Sequence, residues 1–424
     1  MRALSDAIAD PRDPTRITFP MSCLFFVGVL LFLLRLGARR QVGLSLRNGH
    51  ATANIAALFN VPCAPHGDTL DATYRRVQVG DVQEAQCRCI DALVRRKVLD
   101  PFRLLTLYLV VAADGSEVAS FSKPHCPHCL HQTHEGKTTY SHKVLEAKIV
   151  TPTGLAFSLM TEFIENEAPD VKKQDCELRA FYRLADRLAR RFPRLPIVLT
   201  LDGMFAVGPV FELCRQHRWD FVIVLKDGDL PSVEREFEAL DKLEPRRLRV
   251  RSGPNETIEQ TFRWQNDIDY VDTNRKEHTL GVVECVDRRT EVDDTHKTRT
   301  FKWVTSLRLS KHNVSAIAND GGRIRWRIEN EGFNTQKNGG YGLEHVYSKD
   351  PNAAKVFYLL LQVAHTVHQL IESASLLRHA ARGDPPTGVD LARRLFEAWR
   401  NALISPAMLA DVEAGHYQIR LRPP

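Results

Sequence analysis

Asp114 and Asp202 each follow a short apolar, β-rich run and precede a glycine, in LYLVVAA-Asp114-Gly115 and IVLTL-Asp202-Gly203. A strand that ends in a carboxylate fixes it at a sheet end. The glycine lets the chain turn away and leaves room for a ligand. Two such carboxylates, joined by a third from a helix, can hold two Mg²⁺ (or Mn²⁺) ions about 3.5–4 Å apart. Hard oxygen donors suit these ions, which keep positions open for phosphate and water. The metal pair would activate a water or a 3′-hydroxyl and stabilise the leaving oxygen of a phosphodiester. One isolated Asp-Gly is usually a turn; two at matched strand ends predict a site. The third acid lies in RWRIENEGF, where Glu329 follows Arg325 by four residues and Glu331 follows Arg327 by four. Both pairs are helical neighbours, as on any solvated ion-paired helix. Trp326, Ile328 and Phe333 predict that this helix is partly buried.

A second constellation reads HCPHCLHQTHEGKTTYSH over 125–142. Cys126 and Cys129 have metal-ligand spacing, and with His134 and His142 they could hold a tetrahedral structural Zn²⁺. His134 and His142 are the expected partners because they are far enough along for the chain to loop back. A solvated polar loop between two strands is the competing reading. A redox CxxC fits less well, because no helix opens at it. The cysteine count of nine is odd and seven of them are scattered, which points to a reducing compartment rather than a disulfide scaffold.

The elements that must position these residues alternate. Leu107–Ala113, Val144–Val150 and Leu155–Phe163 read as strands, the last two joined by a turn at Pro152-Thr153-Gly154. Asp114-Gly115 should end the first in a turn. Cys176–Phe192 reads as a helix, with Asp175 and Glu177 favoured at its N-terminus by the helix dipole and, as a second reading, lying at the edge of the site. Ile197–Leu201 and Phe221–Leu225 read as central strands around a helix at Val207–His217. Thr261–Trp264, Leu280–Val286 and Phe301–Leu309 read as strands, and helix returns from Ile324, with a strongly apolar stretch at Ala353–Leu377. Such alternation predicts an α/β sheet covered by helices.

The front of the chain differs. Residues 1–105 read as helical, with a helix start at Asp68-Thr69, and carry 14 Lys/Arg against nine Asp/Glu, although the whole chain has a net charge of only +6. Arg39-Arg40, Arg75-Arg76 and Arg95-Arg96-Lys97 could contact phosphates there, or simply be solvated. Met21–Leu34 is apolar throughout, but its 14 residues fall short of the ~20 that a membrane span needs. A buried helix is expected, and membrane attachment is the lesser reading.

At this point the sequence resembles the DDE transposases of bacterial insertion sequences. The matching text is LVVAADGS at Asp114, IVLTLDGMFA at Asp202, FVIVLKDGDLP after it, and RWRIENEGFNTQKNGGYGLEH at the Glu. It runs from about Leu107 to Ala364. The resemblance implies an RNase H-like mixed sheet flanked by helices, with a β-rich insertion before the last carboxylate. It implies Asp114, Asp202 and Glu329 as catalytic metal ligands. The family pattern near the Glu is Tyr, two residues, Arg, three, Glu, six, Lys. Here Arg325 and Glu329 match, Gly322 stands at the Tyr position, and Gln336 at the Lys position with Lys337 beside it. Glu331 with Arg327 forms a rival frame. At about 100° per residue, Lys337 lies about 80° from Glu329 but about 120° from Glu331, which favours Glu329. Arg325, Lys337 and Arg327 are the implied DNA-binding residues.

The resulting expectation is a helical DNA-binding domain over 1–105, a catalytic core over 106–226 and 323–380, a β-rich insertion over 227–322, and a helical tail over 381–424. Trp264, Tyr270, Phe301 and Trp303 in the insertion are expected to pack its core, with stacking on an unpaired base as the alternative. The implied activity is cleavage at the element's ends and transfer of the 3′-hydroxyl strand into target DNA, by at least a dimer, in the bacterial cytoplasm at the nucleoid and not at a membrane. A metal-dependent nuclease without strand transfer, or a DNA-binding descendant without activity, are the alternatives.

Overall fold

The computed structural model describes residues 2–169, 171, 173–253, 257–290, 296–374, 387–415 and 419–421. Its helices are, in order, α1 (Arg2–Ser5), α2 (Met21–Leu33), α3 (Arg39–Leu46), α4 (Gly49–Phe59), α5 (Gly67–Tyr74), α6 (Val79–Arg95), α7 (Glu177–Arg191), α8 (Gly208–His217) and α9 (Pro231–Leu243). A composite helix over 314–338 follows, then α10 (Pro351–Ser373) and two helices at Gly388–Asn401 and Pro406–Ala414. The strands are β1 (Leu109–Phe121), β2 (Leu130–His134), β3 (Lys137–Val150), β4 (Ala156–Ile164), β5 (Ile197–Leu201), β6 (Asp220–Val224), β7 (Arg247–Ser252), β8 (Ile258–Val271), β9 (Glu277–Thr290) and β10 (His296–Thr305).

All ten strands join one mixed sheet in the order β2-β3-β1-β5-β6-β10-β9-β8-β7, with β4 also on β3. The antiparallel meander β1, β3, β4 is continued by two parallel strands, β5 on β1 and β6 on β5. The strands of the 227–322 segment then extend the same sheet, because β10 pairs antiparallel with β6 from Trp303↔Val224 to Thr305↔Val222. Beyond β10 the meander ends at the short, arginine-rich edge strand β7.

One expectation fails here. Asp114-Gly115 is not a turn: β1 continues through it to Phe121, pairing with β3 as Asp114↔Glu146 and Gly115↔Leu145. The turn preference of Asp-Gly is local, whereas the ladder with β3 supplies partners for the backbone along its whole length, and the ladder prevails. Two smaller differences are similar in kind. The last insertion strand spans His296–Thr305 and stops short of Leu309. The helix expected at Asp68-Thr69 starts at Gly67, capped by His66, whose ring accepts from the Asp68 N–H at 3.2 Å. In the expected tail, residues 381–386 lie outside the described residues, as do 375–377 at the end of the apolar helix.

Alternation along the strands gives the sheet two covered faces. Val110, Ala112, Val144 and Val198 face a core shared with α2, α10 and the composite helix. Leu109, Val111, Leu199 and Leu201 face a second core built with α6, α7, α8 and α9. The front helices therefore pack onto the sheet rather than closing around a core of their own.

The apolar run at Met21 becomes α2, with ten of its thirteen residues buried. A helix that is apolar all round must be buried all round. α10 covers one side, and Trp399 and Phe59 hold Phe26 on the other, ring centroids 5.7 and 5.3 Å away. Among the described residues no helix is long and apolar enough to cross a membrane.

Gly28 lets α2 approach its neighbours closely. A β-carbon there would strike the Tyr74 hydroxyl and lie 2.8 Å from a Leu360 methyl. Tyr74 is buried and donates to the Leu24 carbonyl at 2.7 Å, so it cannot swing aside without losing that bond. Gly28→Ala should therefore destabilise the fold by about 1–3 kcal/mol, read as a lower midpoint in urea unfolding with an unchanged slope.

Candidate functional site

Asp114 and Asp202 are brought together by the register of a parallel strand pair. The last couple of the β1–β5 ladder is Ala112↔Thr200, and each acid lies two residues beyond it. Two residues onward preserves the face, so Asp114 follows Val110 and Ala112, and Asp202 follows Val198 and Thr200, onto the face under the composite helix. β5 stops at Leu201 while β1 runs on, which opens a notch at the end of β5 with β1 as its wall.

The composite helix closes this notch. It is irregular, with π-helical turns at Ile317–Gly322 and Ile328–Asn334 on either side of a tight turn at Arg323–Trp326. π-turns are rare and recur at functional sites. Gly322 lies against the Trp303 indole and its carbonyl accepts from Thr200 Oγ1 at 3.4 Å, so the helix touches the sheet beside Asp202. One turn later Arg325 reaches in: its guanidinium is 3.6 Å from Asp114 and 2.6 Å from Glu329.

Glu329 and Glu331 differ in these contacts. Glu329 shares Arg325 with Asp114. Glu331 instead pairs with Arg327, which bonds the Pro152 carbonyl at 3.1 Å beside the Gly154 turn. Arg327 is thus tied to the β3–β4 turn, and its guanidinium stacks on Trp326. Lys337 pairs with Glu344 at 2.8 Å. The neighbouring Gln336 is fully buried and bonds Gln362 at 2.8 Å and His365 at 2.9 Å. The phase comparison of Lys337 with Glu329 and Glu331 assumed a uniform turn of ~100° per residue, and the π-turn between Glu329 and Lys337 departs from it.

Two charged groups stand close by, one of them, Lys226, not anticipated and the other, Glu177, expected at the edge of the site only as a second reading. Lys226, just after β6, donates to Asp202 at 3.0 Å. Glu177, the first residue of α7, fills the space over Gly115 and adds negative charge near Asp114. Asp175 is engaged elsewhere, by Arg183 at 2.6 Å. The LKDG text held Lys226 in view; nothing in the sequence ties Glu177 to Gly115, since that contact is made across the sheet.

The two aspartates differ electrostatically. Burial pushes the Asp114 carboxyl up to about 7; Arg325 opposes this, and the negative charges of Glu329 and Glu177 add to it. Burial also acts on Asp202, but the Lys226 hydrogen bond, the Gly203 N–H and the charges of Lys226 and Arg325 outweigh it and hold the carboxyl below its usual range. At Asp114 the single nearby cation, Arg325, does not outweigh burial and the neighbouring acids, whereas at Asp202 the cations and hydrogen bonds do. Asp114, Asp202 and Glu329 thus come from three elements around one notch, while among the described residues the three-ligand group whose atoms lie within 4.8 Å of one another is Cys126, Cys129 and His142.

The Cys/His cluster is assembled at the far end of β1. Cys126 and Cys129 lie in the β1–β2 connection and His142 on β3, and their ligand atoms lie within 4.8 Å of one another. His134 does not join them. It is exposed at the tip of the β2–β3 hairpin, paired with Lys137, because β2 carries it away from the cysteines. In the sheet extension Trp264 and Trp303 are buried, which bears out core packing for those two, while Phe301 and Tyr270 are partly exposed. In the front helices Arg39 and Arg75 both pair with Asp71, while Arg40 and Arg95-Arg96-Lys97 are exposed.

No family model and no curated protein matches the chain.

The raised Asp114 group has a measurable consequence for stability. The folded protein holds this proton up to about pH 7, whereas an unfolded Asp releases it near its ordinary value of 3.8. Stability is therefore drained as pH rises between those values. Asp114→Asn should be more stable than the parent at pH 8, by on the order of a few kcal/mol, with the gain shrinking toward pH 4. Thermal unfolding across that range checks the sign.

Proposed function

We propose that this protein is a DDE-type transposase with an RNase H-like catalytic core, using Asp114, Asp202 and Glu329 to hold two Mg²⁺ or Mn²⁺ ions. The observation that carries the reading is the register: Asp114 and Asp202 stand side by side two residues beyond Ala112↔Thr200, and Arg325 links Asp114 to Glu329 across the notch. The strand sequence supports it too. Three antiparallel strands, then two parallel ones reached through helices, then a β-rich segment before the helix with the third acid, is the order that an RNase H-like core with an insertion requires.

The metal ions would supply a nucleophilic hydroxide and stabilise the leaving oxygen. The chain's own residues do the remaining work. Asp114 and Asp202 project from a rigid sheet, so their separation is set by strand pairing. Arg325 and Lys226 now neutralise the acids and are placed to turn to phosphate oxygens as cations take over the carboxylates. The adjoining cleft brings Lys226, Arg325, Phe301 and Trp326 together with the acids Asp227 and Glu284, and its cations and aromatic faces support the reading of a cleft for a DNA end. Trp326 is exposed and supported by Arg327, which suits stacking on an unpaired base. The exposed Arg40 and Arg95-Arg96-Lys97 would add sequence-independent grip.

Two partners follow from this chemistry, the element's own ends and a target duplex. Holding two ends at once calls for at least a dimer. The protein would act on bacterial DNA in the cytoplasm.

The test uses short duplexes carrying the DNA that flanks the gene, with Mg²⁺. The intact protein should nick or cut at the element boundary and join a pre-cleaved 3′-hydroxyl end to a second duplex. Asp114→Ala, Asp202→Ala and Glu329→Ala should each lower cleavage by at least ~10³-fold while leaving end binding within a few-fold. Glu331→Gln should retain cleavage. Cutting without joining would assign the protein to the nucleases, and full activity in any of the three alanine variants would remove that residue from the site. Activity should also depend on divalent cation, vanish with chelator, and be regained with Mn²⁺.

A further inference from the structure

We infer that Cys126, Cys129 and His142 form a zinc site that fastens the β1–β2 connection to β3. The argument is geometric. A tetrahedral ion with Zn–S of about 2.3 Å and Zn–N of about 2.05 Å sets its sulfurs about 3.8 Å apart and each sulfur about 3.6 Å from the nitrogen. Here the two Sγ atoms are 3.8 Å apart, and His142 Nε2 is 3.4 and 3.5 Å from them. Three ligand atoms on two separate segments already occupy three corners of a zinc tetrahedron.

The surroundings are built to the same end. The His128 N–H donates to Cys126 Sγ at 3.4 Å, and the Cys126 N–H points to Cys129 Sγ at 3.4 Å. Backbone N–H groups aimed at sulfur stabilise thiolates, the form that binds metal. Asn166, buried just past β4, clamps the connection from outside: its side chain donates to the Cys129 carbonyl at 2.9 Å, its carbonyl meets His128 Nδ1 at 2.9 Å, and its N–H donates to the His128 carbonyl at 3.2 Å. That occupies His128 and leaves the cysteines free to turn inward. The His142 ring is held edge-on to Phe121, their centroids 6.0 Å apart. It also lines a cavity with His125 and Glu165.

The site has a task in the fold. The β2–β3 hairpin reaches beyond the region where β3 is backed by β4, and only five residue couples tie β2 to it. A metal held by both the connection and β3 would fix the base of that hairpin. All nine cysteines are free thiols, so no disulfide substitutes for it.

The test is metal content of the full chain, purified without chelator and under reducing conditions. The intact protein, His134→Ala and Asp114→Ala should each carry about one zinc per chain by mass spectrometry. Cys126→Ser, Cys129→Ser and His142→Ala should each lose at least ~10-fold of it. Because such variants can misfold, the intact protein offers a second measurement. Replacing zinc with Co²⁺ should give an intense thiolate-to-cobalt charge-transfer band that zinc abolishes on back-titration. An intact protein with no stoichiometric zinc and no such band overturns the inference, as does zinc retained in Cys126→Ser. Neither readout depends on DNA cleavage, so the site stands or falls apart from the proposed activity.

Discussion

A charge pair sealed inside the protein fixes how the sheet and its covering helices meet. Glu146 and Lys148, two residues apart on β3 and both fully buried, face the same side as Asp114, with Lys148 Nζ 3.3 Å from the carboxylate. Burial pulls the Lys148 ammonium below its usual range although Glu146 opposes the shift. Such a pair survives only if its remaining valences are met, and here they are met by other elements. Ser158 and Thr161 of β4 and Tyr358 of α10 donate to Glu146, while Lys148 donates to Gln362 of α10 at 2.6 Å. Gln362 in turn bonds Gln336 of the composite helix at 2.8 Å. Gln336 lies seven residues after Glu329, so the place of that carboxylate above the notch is set by a hydrogen-bond chain that begins on β3. Apolar packing would tolerate a sliding helix; this chain of directional bonds does not.

Much of the scaffold was legible because strands and helices with a strong period announce themselves. Ile197–Leu201 reads as a buried strand and is one, and α7 and α8 fall within a residue of the ends expected from their spacing. The errors fall where a distant partner overrides a local preference. Asp114-Gly115 prefers a turn in isolation, but β3 supplies a partner for every residue around it. His134 seemed as available as His142 until the hairpin carried it outward. α9 and β7 went unread because their stability comes from packing on β8, whose register no local pattern discloses. The placing of Asp114 and Asp202 at neighbouring strands and of Glu329 on a helix beside them was legible. The burial of Gln336 was not, and the approach of Glu177 to Gly115 stood only as a second reading, since each is defined by a contact across the fold.

The two candidate centres would suit different ions for plain reasons of chemistry. The notch offers carboxylate oxygens of uneven charge, open to one side and bordered by cations that can exchange partners. The cluster at the far end of β1 offers two soft sulfurs and an imidazole in a closed loop. β1 connects them, with Asp114 near its middle and the cysteine loop just past its end at Phe121. A rigid strand of this kind would hold a fixed distance between a place of exchange and a place of anchorage.

The terminal strand β7 carries one more consequence. A ten-stranded sheet that stops in an open ladder invites the same edge of another molecule to continue it. In β7 arginines alternate with apolar residues, and Arg247, Arg249 and Arg251 are held along the rim by Asp241 and Glu259. An incoming strand would have to strip water from that row of guanidinium groups and bring its own like charges against them. The open edge of the sheet thereby carries charge along its whole length, which disfavours its continuation by a second copy of the same strand.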